Sequence, residues 1–397
     1  MSLGTAINIA DLRELAHRRL PRVVFDYLDG GAEDETTLDW NREAFRRWGF
    51  VPRILAGSGN GDLSVDLFGE RPKLPLIVGP TGLNGIFRHR ADVLLARAAG
   101  AAGAVFVLST ASNSSLEDVA AAAEGVKWFQ LYPWGERSLS QRLVERAKAA
   151  GYRALVVTVD TLTLGKRERD LRNDFSHEVH YTPKVILDGL RHPGWLAGVW
   201  LRGGVPRFEN VAEFAPPGAG ARELTAFVRA RRNLTFSWDD LAWLRRLWTG
   251  PFLVKGVLAV EDAQKAADLG ADGVIVSNHG GRQLDGAIAS LDALVPIVDV
   301  VGDRLAVIVD GGVRRGADVI KALALGARAV GLGRAPLYGL AAAGEPGAAR
   351  ALAILREEMA RVMFFLGCPA VARLSRAHLQ EREHSSVSRR SALSRPG

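Results

Sequence analysis

The chain has 397 residues, of which 48% are hydrophobic, and a formal net charge of +7. That apolar content is ample for a core, the lone Cys368 excludes an intramolecular disulfide and fits a reducing compartment, and no apolar run is long enough to span a bilayer. The start, Met1-Ser2-Leu3-Gly4-Thr5, has neither the basic nor the long apolar region of a secretion signal, and the scattered lysines and arginines accompany no nucleic-acid motif. An anionic substrate, a phosphate-bearing cofactor and anionic lipid account for the positive charge better than nucleic acid does.

In chain order, residues 9–18 and 36–47 read as helices. Short apolar runs then recur at 76–79, 105–108, 128–131, 155–159, 252–254, 274–276, 306–309 and 329–332. Ala-, Leu- and Arg-rich stretches with helical spacing separate most of them, among them 91–102, 138–150, 260–269 and 316–325. Eight β-then-α units predict an α/β protein built on a parallel (β/α)8 TIM barrel over about residues 74–366. The N-terminal helices precede it, and a long insertion of about residues 171–250 follows the fourth strand. Helices over 348–365 close a single domain of about 1–380. The serine- and arginine-containing segment 381–397 predicts a mobile basic tail.

Chemistry in such barrels sits at the carboxyl ends of the strands. Those ends carry Pro80-Thr81-Gly82, Ser109-Thr110-Ala111, Gln130 with Tyr132, Thr158 with Asp160 and Arg167, and Lys255. Strand six leads into Ser277, His279 and Arg282 on the glycine-rich turn Gly280-Gly281. A histidine is a base near neutral pH, and an arginine fork fits a carboxylate, so the pair suits oxidation of a small hydroxy acid. Strands seven and eight lead into Asp310-Gly311-Gly312-Val313-Arg314 and Gly333-Arg334. Glycines that let backbone N–H groups approach an anion, beside two arginines, predict a phosphate cradle. Of the eight histidines only His279 stands at a strand end, so no metal site is expected.

The stretch Ser277-Asn278-His279-Gly280-Gly281-Arg282-Gln283-Leu284-Asp285 resembles the FMN-dependent 2-hydroxy acid dehydrogenases and oxidases. The likeness runs over about residues 9–380. Tyr27-Leu28-Asp29-Gly30-Gly31, Gly79-Pro80-Thr81-Gly82-Leu83-Asn84-Gly85, Leu108-Ser109-Thr110-Ala111-Ser112-Asn113 and Arg167-Glu168-Arg169-Asp170-Leu171 place it nearest the branch that oxidises (S)-mandelate. Flavin-dependent isomerases share the phosphate loops, but the His279–Arg282 element argues against them.

The resemblance implies FMN as cofactor, held by Pro80, Thr81, Gly82, Ser109, Gln130, Thr158, Lys255 and Ser277. Its phosphate falls on Asp310, Gly311, Gly312, Arg314, Gly333 and Arg334. Substrate contacts are implied at Tyr27, Gly82, Ala111, Tyr132, Arg167, His279 and Arg282, with His279, Asp160, Tyr132 and Arg282 carrying the chemistry. His279 takes its proton from the α-carbon or from the hydroxyl; the sequence does not choose. Ala111 stands where glycolate-oxidising members have tryptophan, which predicts room for an aromatic substrate such as (S)-mandelate.

The implied electron acceptor is a membrane quinone, the alternative being oxygen with release of hydrogen peroxide; L-lactate oxidation is a second alternative. A homotetramer is implied as well. The centre of the insertion sets Trp195 and Trp200 among aliphatics, flanked by Lys184, Arg191, Arg202 and Arg207. This predicts a cytoplasmic enzyme attached peripherally to the anionic inner face of the cell membrane, both indoles at the interface. An active-site lid or a subunit contact is the competing reading of the same segment.

Overall fold

A computed structural model describes residues 2–56, 61–175, 182–216, 218–231 and 233–382, apart from the side chain of Lys184. The expected mobile tail lies almost wholly outside them, as do residues 176–181 of the insertion. Eight strands run parallel: β1 Leu76–Val78, β2 Val105–Ser109, β3 Lys127–Leu131, β4 Ala154–Thr158, β5 Phe252–Val257, β6 Gly273–Val276, β7 Ala306–Asp310 and β8 Ala329–Leu332. They close in chain order into one barrel, β8 pairing back onto β1. Strands covered on both faces need apolar side chains on both, which is why the runs are continuous rather than alternating.

The alternation is present all the same, as a division between two cores. Outward-facing Phe129, Leu155, Val254, Val274 and Val309 join the helices. Inward-facing Trp128, Val156, Leu253, Ile275 and Ile308 fill the barrel together with Leu67 and Phe68 from the segment ahead of β1. Phe68 closes that end against Trp128, their ring centroids 5.8 Å apart. Two residues further along each strand the inward position becomes polar: Gln130, Thr158, Lys255, Ser277 and Asp310. Strand periodicity alone therefore aims these side chains into the carboxyl end of the barrel.

β5 runs to Val257, beyond the expected 252–254, because its pairing with β6 shifts register between Lys255 and Val257. Gly256 at the shift has φ +106°, a backbone state that glycine adopts without penalty.

Helices Ile9–Arg19, Arg22–Asp29 and Thr36–Arg46 precede the barrel, the first lying along the β8 helix Arg334–Ala343. A short antiparallel pair, Trp48–Phe50 with Leu379–Glu381, joins the two ends of the chain. Three-residue strands have no period to detect, and the sequence did not announce them. Helix Glu345–Phe365 packs over Arg334–Ala343.

The segment between β4 and β5 contains helices Glu168–Arg172, Pro183–Leu190, Pro193–Gly203, Ala221–Ala230 and Trp238–Leu247, with a 3-10 turn at Glu209–Phe214. The last helix packs beside Arg137–Ala149, and Arg137 pairs with Asp240 at 2.7 Å. Buried Asn210 ties the segment to the barrel: its Nδ2 donates to the Ser109 carbonyl (3.2 Å), and its Oδ1 accepts from the Leu116 amide (2.8 Å). The two insertion tryptophans differ: Trp195 is partly buried, packs on the core and donates from Nε1 to the Ile86 carbonyl at 2.7 Å. Trp200 is the tryptophan that stays exposed. No helix among the described residues is long and apolar enough to cross a membrane.

Candidate active site

A cavity at the carboxyl end of the barrel encloses about 1850 Å³, part of it open to solvent. Tyr27, Pro80, Thr81, Gly82, Ala111, Tyr132, Arg167, Lys255, His279 and Arg282 line it, with Asp310, Gly311, Gly312, Arg314, Gly333 and Arg334. Ser109, Gln130, Thr158 and Ser277 lie fully buried at the neighbouring strand ends. The predicted residues thus converge from all eight strands and from the N-terminal helix bearing Tyr27.

His279 leaves β6 at φ +58°, fixed by its amide donating to Ser277 Oγ (3.0 Å). Its ring Nδ1 lies 3.1 Å from Asp160 Oδ1 and 3.3 Å from Oδ2. Asp160 occupies Nδ1, so Nε2 is the atom available to a substrate. Burial lowers the imidazole below its ordinary value, more than Asp160 raises it, so the ring is neutral at pH 7. Burial raises Asp160, but His279 and Lys255 outweigh it and keep the carboxylate ionised.

Lys255 Nζ donates to Ser277 Oγ at 2.9 Å and lies 3.3 Å from Asp310 Oδ2. Burial works against this ammonium, yet Asp310 and Asp160 hold its pKa above the usual lysine value. Tyr132 is pushed up to about 12 by burial, so it remains a hydrogen-bond donor.

Arg282 Nη1 donates to the Gly30 carbonyl (2.6 Å), and its guanidinium carbon stands 5.0 Å from the Tyr27 ring centroid. Arg167 reaches the Arg282 carbonyl through Nε (3.4 Å). Burial and then Arg282 pull Arg167 down to about 10. The same two causes pull Arg334 down to about 9. An incoming anion would relieve the crowding of positive charge that lowers Arg167 and Arg334. Arg334 also donates to the carbonyls of Leu28, Gly280 and Gly30 (3.2, 3.0 and 2.8 Å), so it fastens the N-terminal segment as well as lining the cavity.

Gln130 Nε2, Thr158 Oγ1 and Asp310 Oδ1 are buried with no hydrogen-bond partner among the described residues. A donor, a hydroxyl and an acceptor at three strand ends complement the mixed donor and acceptor edge of an isoalloxazine ring. At the other end of the cavity Gly311 and Gly312, at φ +100° and +79°, turn backbone toward a phosphate position beside Arg314. The residues present fit FMN.

Three contributions had no sequence signal. Asn41 and Asn278 exchange two amide hydrogen bonds of 2.8 Å across 237 residues, and Asn278 Oδ1 also accepts from the Gly281 amide (3.1 Å), which braces the His279 turn. Asp29, accepting from Arg13 and Tyr338, fastens the helix carrying Tyr27. Phe208, Val211 and Val228 of the insertion close the apolar side of the cavity.

A sequence profile described as FMN-dependent dehydrogenase matches residues 16–381. The chain is 46% identical to (S)-mandelate dehydrogenase of Pseudomonas putida over 94% of this chain and 93% of that one. It is 43% identical to an L-lactate dehydrogenase of Caulobacter vibrioides over 94% and 97% of the two. A crystal structure described as the monotopic membrane protein (S)-mandelate dehydrogenase superposes with a TM-score of 0.92 at 45% identity, covering 95% of this chain and 100% of that one. The chain therefore belongs to the FMN-dependent dehydrogenase family, and is a mandelate dehydrogenase-like enzyme that oxidises 2-hydroxy acids with FMN.

Proposed function

We propose that the enzyme oxidises (S)-mandelate, or a similar aromatic (S)-2-hydroxy acid, to the 2-keto acid. The His279–Asp160 pair beside Arg167 and Arg282 in one cavity carries this reading. Arg167 and Arg282 grip the carboxylate and fix the α-carbon, which removes orientational entropy from the barrier. Neutral His279 accepts a proton at Nε2, while Asp160 holds the tautomer and stabilises the imidazolium that forms. Tyr132, still protonated, donates to the substrate hydroxyl, and Tyr27 donates to the carboxylate.

FMN when bound supplies the two-electron acceptor. Pro80, Thr81, Gly82, Ser109, Gln130, Thr158 and Ser277 hold its ring, and Lys255 sets a positive charge beside it. Gly311, Gly312, Arg314, Gly333 and Arg334 take its phosphate, and Asp310 offers its free Oδ1 to the flavin.

Aromatic preference is supported by the small side chains of Ala111 and Gly82, side by side on the cavity wall, and by Phe208, Val211 and Val228 on the open side. Anaerobic mixing of the yellow enzyme with (S)-mandelate, L-lactate and glycolate tests it. The highest kcat/KM is expected for mandelate, and a higher value for glycolate or L-lactate overturns the assignment.

The proposed electron acceptor is a membrane quinone, the enzyme sitting peripherally on the cytoplasmic face. Support comes from Ile186, Leu187, Leu190, Leu201 and Val205, all exposed on or next to the insertion helices, and from the monotopic relative. Turnover with quinone analogues and slow oxygen uptake are expected. Rapid uptake with stoichiometric peroxide, and no quinone activity, reverses this to an oxidase.

A further inference from the structure

Outside the active-site cavity, partly buried arginines in this protein usually face a carboxylate. Arg146 lies between Glu117 and Glu213, both at 2.8 Å, and Arg169 pairs with Asp29 and Glu35. One cluster breaks that pattern. Arg88, in the loop after β1, makes no hydrogen bond or ion pair with any described residue, and its Nη1 is buried without a partner. Arg19, at the end of the first helix, has its Nε buried in the same condition. The other two Arg19 nitrogens only approach the carbonyls of Ala342 and Gly194, each at 3.5 Å. Arg202, on the last turn of helix Pro193–Gly203, is exposed and has no carboxylate partner among the described residues. Burial lowers Arg88, and Arg19 and then Arg202 lower it further, with no acidic group in opposition. The nearby carboxylate of Glu345 is engaged by Arg97 at 3.2 Å.

We infer that Arg19, Arg88 and Arg202 bind the phosphate of an anionic phospholipid headgroup at the root of the insertion helix Pro193–Gly203. Guanidinium N–H pairs fit phosphate oxygens, and an anion there satisfies the two buried nitrogens that protein groups leave unmatched. A lipid is favoured over free phosphate by what lies beside the cluster. Helix Pro193–Gly203 carries Trp200, 39% exposed, and Leu201, 84% exposed, immediately before Arg202. Cations at headgroup level with indole and leucine at the acyl boundary is the arrangement of an interfacial anchor. The inference rests on the membrane reading above and specifies the headgroup it selects.

The test uses full-length holoenzyme in flotation with neutral phosphatidylcholine vesicles and with vesicles containing phosphatidylglycerol. Wild type is expected to partition onto the anionic vesicles about tenfold better, and Arg88→Gln or Arg202→Ala each to remove about fivefold of that preference. Arg304→Ala, the same charge change beside the amino end of β7, is expected to stay within about twofold. All variants should keep FMN and turnover with a soluble acceptor. If Arg88→Gln fails to fold, exposed Arg202→Ala carries the test alone.

Equal flotation of wild type on both vesicle types leaves membrane attachment standing and overturns the headgroup site. Flotation on neither overturns both. An equal loss in Arg304→Ala reduces the effect to net charge and overturns the site. Calorimetric titration with inorganic phosphate separates the sources: phosphate binding abolished by Arg88→Gln, without any anionic-vesicle preference, identifies a free-phosphate site and overturns the lipid.

Discussion

Gly256 lies directly behind Asp160: a Cβ placed on the glycine would come within 2.6 Å of the Asp160 Cβ and 2.7 Å of its Cγ. The register shift of β5 therefore exists where the partner of His279 needs room. Gly256→Ala is expected to push Asp160 off His279 Nδ1 and to strain a backbone held at φ +106°. A fall of at least about tenfold in flavin reduction rate, with FMN retained, is the expected stopped-flow result. An unchanged rate removes Gly256 from any positioning role.

The protonation state of His279 sets the acid limb of the pH profile. Its pKa in the folded enzyme lies below the ordinary histidine value because burial dominates. The reactive form is the neutral ring, so kcat/KM stays level through neutrality and falls only as pH drops below about 6.5. Asp160 raises that pKa, so Asp160→Asn should move the limb to still lower pH while cutting the plateau by about 10²- to 10⁴-fold. A limb that moves upward would contradict the assignment. His279→Ala should remain yellow and show no reduction by substrate.

Ala111 and Gly82 lie side by side on the cavity wall, close enough that a Cβ on Gly82 would stand 2.8 Å from that of Ala111. Ala111→Trp fills the space assigned to a phenyl ring. The expected loss of kcat/KM is roughly 100-fold for mandelate, with L-lactate or glycolate affected less than about tenfold. A parallel loss for all three acids places the ring elsewhere.

Asp29 is a stability residue next to a chemical one. Its carboxylate accepts from Arg13 Nε and Nη2 (2.6 and 2.7 Å) and from the Tyr338 hydroxyl (2.7 Å). Burial raises its pKa, but Arg13 and Tyr338 outweigh it and hold the group well below the carboxylate range. A depressed pKa contributes stability above the unfolded value, near 3.9, that is lost as pH falls through the folded one. Asp29→Asn should cost about 2 kcal/mol at pH 7, less than a fully buried pair because the Arg13 side chain is 45% exposed. Thermal melts at pH 7 and below pH 4 check this: the gap between variant and wild type should narrow in acid.

The barrel and much of the site were legible because one periodicity governs both. A strand that buries Ile275 must aim Ser277 the same way, and one that buries Leu253 must aim Lys255. What was hidden comes from contacts with no period. Asn41 gives no hint that it braces a turn 237 residues away. The insertion read as interfacial from its tryptophans, aliphatics and flanking basic residues, but composition does not say which tryptophan turns inward; only the Ile86 carbonyl in reach of Trp195 decides that.

The bonds from Arg334 to the carbonyls of Leu28 and Gly30 span 306 and 304 residues. On the ribosome, the segment bearing Tyr27 emerges early and meets Arg169 and Arg282 on the way, yet it cannot complete its docking until Arg334, just past β8, has been made. At about 5 to 20 residues per second, that is a wait of roughly 15 to 60 s. A nascent chain can hold His279 and Asp160 together and still lack one wall of its active site, so docking of the N-terminal segment belongs among the last events of folding, and catalytic competence with it.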